Sequence, residues 1–304
     1  MRDYYETTYN QIDFSFHKDM EGAEVYLPEA EVLLTYGEDL TPDLIRKAKK
    51  LKWIMVLSAG LDLMPMREIK EQNIIVTNSR GIHAIPMAEY AFAMFLQVYR
   101  QSNLLIQNQK KHIWDKEIPI MEISGKTILI LGAGAIGQEV ARIAKAFRMR
   151  TIGVSQSGGD RNYFDEVHVA SDTQKVLPEA DFIVSVLPST KQTSNFFRFE
   201  HFKMMKDSAI FLNMGRGDVV KSDVILRALN DGQIAHAILD VYEQEPLPTN
   251  SPLWDQDKIT MTPHVSGRSP QYIPRAMDIF ERNLKVYEDN GNNFINQVDV
   301  DRGY

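Results

Sequence analysis

The chain contains no cysteine. That excludes disulfides, thiolate metal sites and a cysteine nucleophile, and it fits a cytoplasmic protein. A basic surplus is also missing: 41 acidic residues against 34 lysines and arginines leave a net charge of -7 at pH 7. The electrostatic footprint of a nucleic-acid binder is therefore absent. An anionic ligand would have to be held by local donors rather than by the overall field. No apolar run approaches the ~20 residues that span a bilayer, so no membrane association is expected. The N-terminus, Met1-Arg-Asp-Tyr-Tyr-Glu, has no apolar signal core. Fixed-period repeats and low-complexity segments are lacking too. What is present is ordinary globular composition, 44% hydrophobic and 25% charged over 304 residues. That length suits two lobes better than one small core.

Short apolar runs alternate with helical patterns along most of the chain. Runs at 32–36, 53–57 and 74–77 read as strands, with a helix opening at Thr41 and Pro42, a hydroxyl cap followed by proline in the first turn. A long helix over 87–100 is apolar all round, which implies burial between other elements. Residues 101–124 are polar at first and then carry Trp114, Ile118 and Ile120; they read as a connecting arm with exposed apolar side chains, suited to a dimer contact. A second series starts at 127–131. Further strands are expected at 151–154, 182–185, 209–212, 234–239 and 259–261, with helices over 136–147, 200–205, 222–231 and 271–289. Such alternation with short links predicts an α/β chain with doubly wound parallel sheets.

Gly132-Ala-Gly-Ala-Ile-Gly137 follows an apolar strand and opens a helix. That is the setting a dinucleotide fingerprint needs. Gly132 permits the tight turn, Gly134 lets the backbone approach a pyrophosphate, and Gly137 lets helix and strand pack closely. Ala135 and Ile136 begin the helix whose N-terminus faces the phosphates. An acidic residue is expected ~20 residues on, to bind a ribose 2′-hydroxyl. Here the next strand ends in Ser155-Gln156-Ser157-Gly-Gly, with Arg161 nearby. No carboxylate would repel a 2′-phosphate there, and hydroxyls and a guanidinium could donate to one. The cofactor is expected to be NADP, with NAD or dual use as the alternative.

Three downstream residues carry the chemistry. Arg216, in Asn-Met-Gly-Arg-Gly, lies just past an expected strand and presents a planar cation that can grip a carboxylate and polarise the neighbouring carbonyl. His264, in Thr-Pro-His, also sits at a strand end and offers the side chain whose ordinary pKa lies nearest neutrality, suited to protonating a developing alkoxide. Glu245 could bind the other ring nitrogen and fix the tautomer. The remaining histidines (His17, His83, His112, His168, His201 and His236) are read as structural.

These marks resemble the D-isomer-specific 2-hydroxyacid dehydrogenases, and the match covers nearly the whole chain. It is carried by Ala-Gly-Leu-Asp at 59–62, Ala88-Glu89, the Gly132–Gly137 fingerprint, Val186-Leu-Pro188, Leu212-Asn-Met-Gly-Arg-Gly217, Leu239-Asp-Val-Tyr-Glu-Gln-Glu-Pro246 and Thr262-Pro-His264. The resemblance implies two Rossmann-like lobes: a flavodoxin-like substrate lobe from residues 1–94 and 282–304, and an inserted dinucleotide-binding lobe from 95–281. It implies that Arg216 binds the carboxylate and keto oxygen of a small 2-oxo acid, with His264 as acid/base and Glu245 as its partner. Amides around Ser58, Ala59 and Gly60 would hold the carboxylate. Leu187 and Pro188 would line the adenosine pocket, Met214 would lie near the nicotinamide, and Asp240 would contact the nicotinamide carboxamide or ribose side. The implied activity is NAD(P)-dependent reduction of a 2-oxo acid to a D-2-hydroxy acid by a cytoplasmic homodimer, with no metal. Two alternatives share the resemblance: a phosphite-type dehydrogenase and a cofactor-binding regulator of the corepressor type. Glu245 argues against formate oxidation, where an amide takes its place.

Overall fold

A computed structural model describes residues 2–58, 61 and 63–300. Two compact units emerge, one from the residues up to Ile82 together with those from Pro270 on, the other from His83–Ser269.

The first unit holds a parallel sheet of three strands, β1 (Val32–Thr35), β2 (Trp53–Val56) and β3 (Ile75–Asn78), paired in that order. β2 is central and fully buried. A strand covered on both faces needs apolar residues at every position, which is why 53–56 reads Trp-Ile-Met-Val without alternation. Trp53 stacks on Phe280 of the helix Tyr272–Glu288 at 5.4 Å. Its indole donates to Thr77 Oγ1 at 2.9 Å, which satisfies the one polar atom it brings inside. The helix Pro42–Lys47 starts as its sequence predicts, with Thr41 accepting from the Leu44 amide.

The second unit holds seven parallel strands: β4 (Thr127–Leu131), β5 (Arg150–Ser155), β6 (Glu166–Val169), β7 (Phe182–Ser185), β8 (Ile210–Asn213), β9 (His236–Leu239) and β10 (Ile259–Met261). Their order is β10-β9-β8-β7-β4-β5-β6. The order reverses between β4 and β7, the switch point at which open parallel sheets bind ligands beyond their strand ends. Two hydrophobic clusters cover the two faces; one includes Leu129, Phe211 and Leu239, the other Ile128, Phe182 and Leu212. The helix Ala84–Tyr99 packs with the helix Ala135–Ala146 in the second cluster.

The unit boundaries fall at Ile82/His83 and Ser269/Pro270, not at 94/95 and 281/282 as expected. Each long helix stays whole because its apolar face is buried within one unit: Ala88, Phe92 and Phe95 in the second, Ala276, Phe280 and Leu284 in the first. The expected arm at 101–124 contains a helix, Ser102–Lys110, none of whose residues is buried. β6 and the helix Met66–Glu71 add to the expected elements.

His236 on β9 hydrogen-bonds Thr260 Oγ1 at 2.9 Å, and burial pushes its pKa from 6.5 down to about 4. The unfolded chain thus binds a proton here that the folded chain refuses, and stability falls as pH drops from 6.5 toward 4. The loss from this group is on the order of 3 kcal/mol. Denaturant unfolding of wild type and His236→Gln at pH 7.5 and pH 4.5 should show a shallower decline in the variant. Equal declines would remove His236 as a cause.

Candidate active site

The glycine fingerprint, the Ser155–Arg161 loop, Arg216, Glu245 and His264 follow the carboxyl ends of strands of the seven-stranded sheet. After β4, Gly132 turns with φ of 106°, and a Cβ there would stand 2.8 Å from Val186 Cγ2 past β7. A Cβ on Gly137 would lie 2.1 Å from the Gly132 carbonyl, so only glycine lets the helix start this close to the strand. Gly134 differs: a Cβ there would meet nothing within 4 Å. It caps the helix Ala135–Ala146 without a side-chain hydrogen bond. The helix N-terminus therefore presents open, positively polarised backbone on which a pyrophosphate fits.

At the end of β5, Ser155 Oγ and Ser157 Oγ make, among the described residues, only long bonds to the Gly158 carbonyl, 3.4 and 3.5 Å. Arg161 donates to the Asp160 carbonyl at 2.9 Å and has no ion pair among the described residues. Gln156 is exposed in the same loop.

Arg216 follows β8. Its neighbours must be glycine: a Cβ on Gly215 would sit 2.5 Å from the Leu187 carbonyl, and one on Gly217 would sit 1.9 Å from the Tyr242 carbonyl. The buried Asn213 ties this turn, donating to the Arg216 carbonyl at 2.9 Å and accepting from the Gly215 amide at 3.3 Å. The guanidinium donates to the Gly215 carbonyl at 3.0 Å and pairs with no carboxylate among the described residues.

His264 follows β10 in a left-handed conformation, φ 52°. Its Nδ1 lies 2.8 Å from Glu245 Oε2. A carboxylate only accepts, so Nδ1 carries the proton and, in the neutral ring, Nε2 is the other, basic nitrogen. Glu245 is itself oriented by the Tyr242 amide, which donates to Oε1 at 3.0 Å. Half of the His264 side chain is exposed.

Other expected residues stand differently. Asp240 has no exposed surface. Its oxygens accept from Thr262 Oγ1 at 2.5 Å and from the Val265 and Ser266 amides at 2.9 Å each. Its side chain holds the loop carrying His264. Met214 is 2% exposed and packs in the core behind the Arg216 turn. Leu187 is partly buried against the sheet, and Pro188 is exposed. Ser58, in the other unit, donates to the Tyr36 carbonyl at 3.0 Å; Ala59 and Gly60 lie outside the described residues.

Sequence reasoning missed His83. Its Nδ1 lies 3.3 Å from the Gly267 carbonyl, three residues past His264. Burial lowers its pKa first, and the charges of Arg216 and His264 both lower it further. His83 thereby meets the loop that follows His264. Nothing in the local sequence marks His83, a lone histidine opening a helix.

A reversing parallel sheet, a glycine fingerprint at its switch point and a cation with a carboxylate-tied imidazole beyond its strand ends define a dinucleotide-dependent oxidoreductase. The family model "D-isomer specific 2-hydroxyacid dehydrogenase, NAD binding domain" matches residues 92–266. The chain belongs to that family. It is 36% identical to a D-isomer specific 2-hydroxyacid dehydrogenase family protein from Aeromonas salmonicida, with a TM-score of 0.84 over 98% of this chain and 96% of that one. It is 30% identical over 269 residues to the glyoxylate reductase of Pyrococcus furiosus, covering 86% of this chain and 80% of the reductase. A D-isomer specific 2-hydroxyacid dehydrogenase from Xanthobacter autotrophicus, solved with NADPH and MES, is 25% identical, with a TM-score of 0.80 over 100% of this chain and 95% of that one. No helix among the described residues is long and apolar enough to cross a membrane.

Proposed function

We propose that the protein is a cytoplasmic, NADPH-preferring reductase that converts a small 2-oxo acid to the D-2-hydroxy acid. The observation that carries this reading is the 2.8 Å pairing of His264 with Glu245 past β10 and β9, with Arg216 past the neighbouring β8 and paired with no carboxylate among the described residues. When bound, the reduced dinucleotide would supply the hydride. Arg216 holds the substrate carboxylate in its planar fork and polarises the keto oxygen. Glu245 keeps the His264 proton on Nδ1 in the neutral ring; in the imidazolium both nitrogens carry protons, and the one on Nε2 passes to the developing alkoxide. In the oxidative direction Nε2 takes the hydroxyl proton.

Purified protein should consume NADPH with at least one member of a panel of 2-oxo acids (glyoxylate, hydroxypyruvate, pyruvate, branched and aromatic). His264→Ala should lower kcat by about 100-fold to 10,000-fold with NADPH affinity nearly intact. Preserved turnover in that variant would remove the acid/base role. Tight NADPH binding without turnover on any acid would favour a cofactor-binding regulator instead.

The preference for NADPH rests on the Ser155–Arg161 loop. Ser155→Asp places a carboxylate against the 2′-phosphate and should shift the kcat/KM ratio toward NADH by at least about tenfold. Unchanged NADPH kinetics would mean the ribose lies elsewhere.

The chain is further proposed to form a homodimer through the segment after helix Ser102–Lys110. Trp114 is 89% exposed there, with Ile113, Ile120 and Met121 also exposed and Leu104, Leu105 and Ile106 along the helix. Such a patch is unusual on a monomer. Sedimentation velocity should give a dimer for wild type and a monomer for Trp114→Asp; a monomeric wild type would sink the proposal.

A further inference from the structure

The loop carrying His264 is fastened by a chain of hydrogen bonds that the chemistry above does not use. Thr262 Oγ1 lies 2.5 Å from Asp240 Oδ1 and 2.7 Å from the Tyr90 hydroxyl. A carboxylate only accepts, so the single hydroxyl proton of Thr262 goes to Asp240. The other bond must then run from Tyr90 to Thr262. Burial raises the Tyr90 pKa, so the phenol keeps the proton it donates. The chain thus has one direction, from the helix Ala84–Tyr99 through Thr262 to Asp240.

His264 stands two residues past Thr262. Its amide donates to the Asp240 carbonyl at 2.8 Å and to the Thr262 carbonyl at 3.1 Å. The Tyr242 hydroxyl reaches the Thr262 and Leu239 carbonyls, at 2.9 Å each. A left-handed backbone at a histidine persists only where surrounding bonds over-determine it. Here the bonds converge on Asp240 and Thr262 from both sides of the turn.

We propose that Tyr90 and Thr262 are positioning residues for His264, acting through Asp240 to hold the imidazole in register with Glu245. This rests on the reading of His264 as the acid/base. Without the Thr262 hydroxyl, a fully buried carboxylate loses one of its donors and the loop must rearrange to supply another. An ångström of misplacement at a proton-transfer nitrogen costs on the order of 100-fold in rate.

Thr262→Val removes the hydroxyl at nearly constant volume, Tyr90→Phe removes only the first donor, and Thr262→Ser keeps the hydroxyl while deleting a methyl. Thr262→Val should lower kcat by about tenfold to 100-fold at unchanged KM for NADPH, Tyr90→Phe by a smaller factor, and Thr262→Ser should stay within about threefold of wild type. A kcat for both Thr262→Val and Tyr90→Phe within twofold of wild type overturns the proposal, as does an equal loss in Thr262→Ser and Thr262→Val. If Thr262→Val does not fold, Tyr90→Phe decides alone. If the wild type reduces no 2-oxo acid, the reading of function falls, and the crystal structure of Tyr90→Phe or Thr262→Val still decides this one. His264 leaving its left-handed conformation and its 2.8 Å contact with Glu245 supports the proposal; both kept unchanged overturn it.

Discussion

A carboxylate sealed from water must collect donors from whatever lies around it. Asp240 collects one hydroxyl and two consecutive backbone amides, all from the turn after β10. That requirement folds residues 262–266 around the end of β9 and fixes the backbone from which the His264 side chain leaves. The imidazole is then half exposed on a backbone that is pinned. The ring is open to solvent while the loop that carries it is tied to a buried carboxylate.

The second constraint is close approach of backbone to backbone. The Arg216 turn lies so near the Leu187 and Tyr242 carbonyls that no side chain fits at 215 or 217. The Gly132 turn lies less close to its neighbour, a Cβ there standing 2.8 Å from Val186 Cγ2 and 3.1 Å from the Val186 carbonyl. Adjacent parallel strands bring these turns together because every strand ends on the same side of the sheet. Arg216, Glu245 and His264 follow β8, β9 and β10, which are consecutive neighbours. Glu245 leans on the Tyr242 amide, and Tyr242 in turn packs against the Arg216 turn. One loop thus touches both the Arg216 turn and, through Glu245, the His264 ring.

Much of this was legible in the residues. Strands buried on both faces read as unbroken apolar runs, so β2, β4, β7 and β8 stand out without alignment. The glycine spacing announces close packing because no other residue tolerates it. The helix Ser102–Lys110 was illegible for the opposite reason: it buries nothing, so no periodic apolar stripe records it. β6 is a half-exposed edge strand, Glu-Val-His-Val, with the same defect. The unit boundaries were missed because two continuous helices were divided by position, whereas burial assigns each whole to one unit.

The sequence by itself determined the family, the α/β class and the order of the cofactor turn and the Arg–Glu–His set, since these are written in residue type and local spacing. Only the tertiary structure decided the partners of buried polar groups. That Asp240 serves the His264 loop, that Tyr90 reaches Thr262 across 172 residues of chain, and that His83 meets the Gly267 carbonyl depend on packing between distant segments. Local pattern encodes which atoms are buried; it does not encode which donor, far along the chain, arrives to meet them.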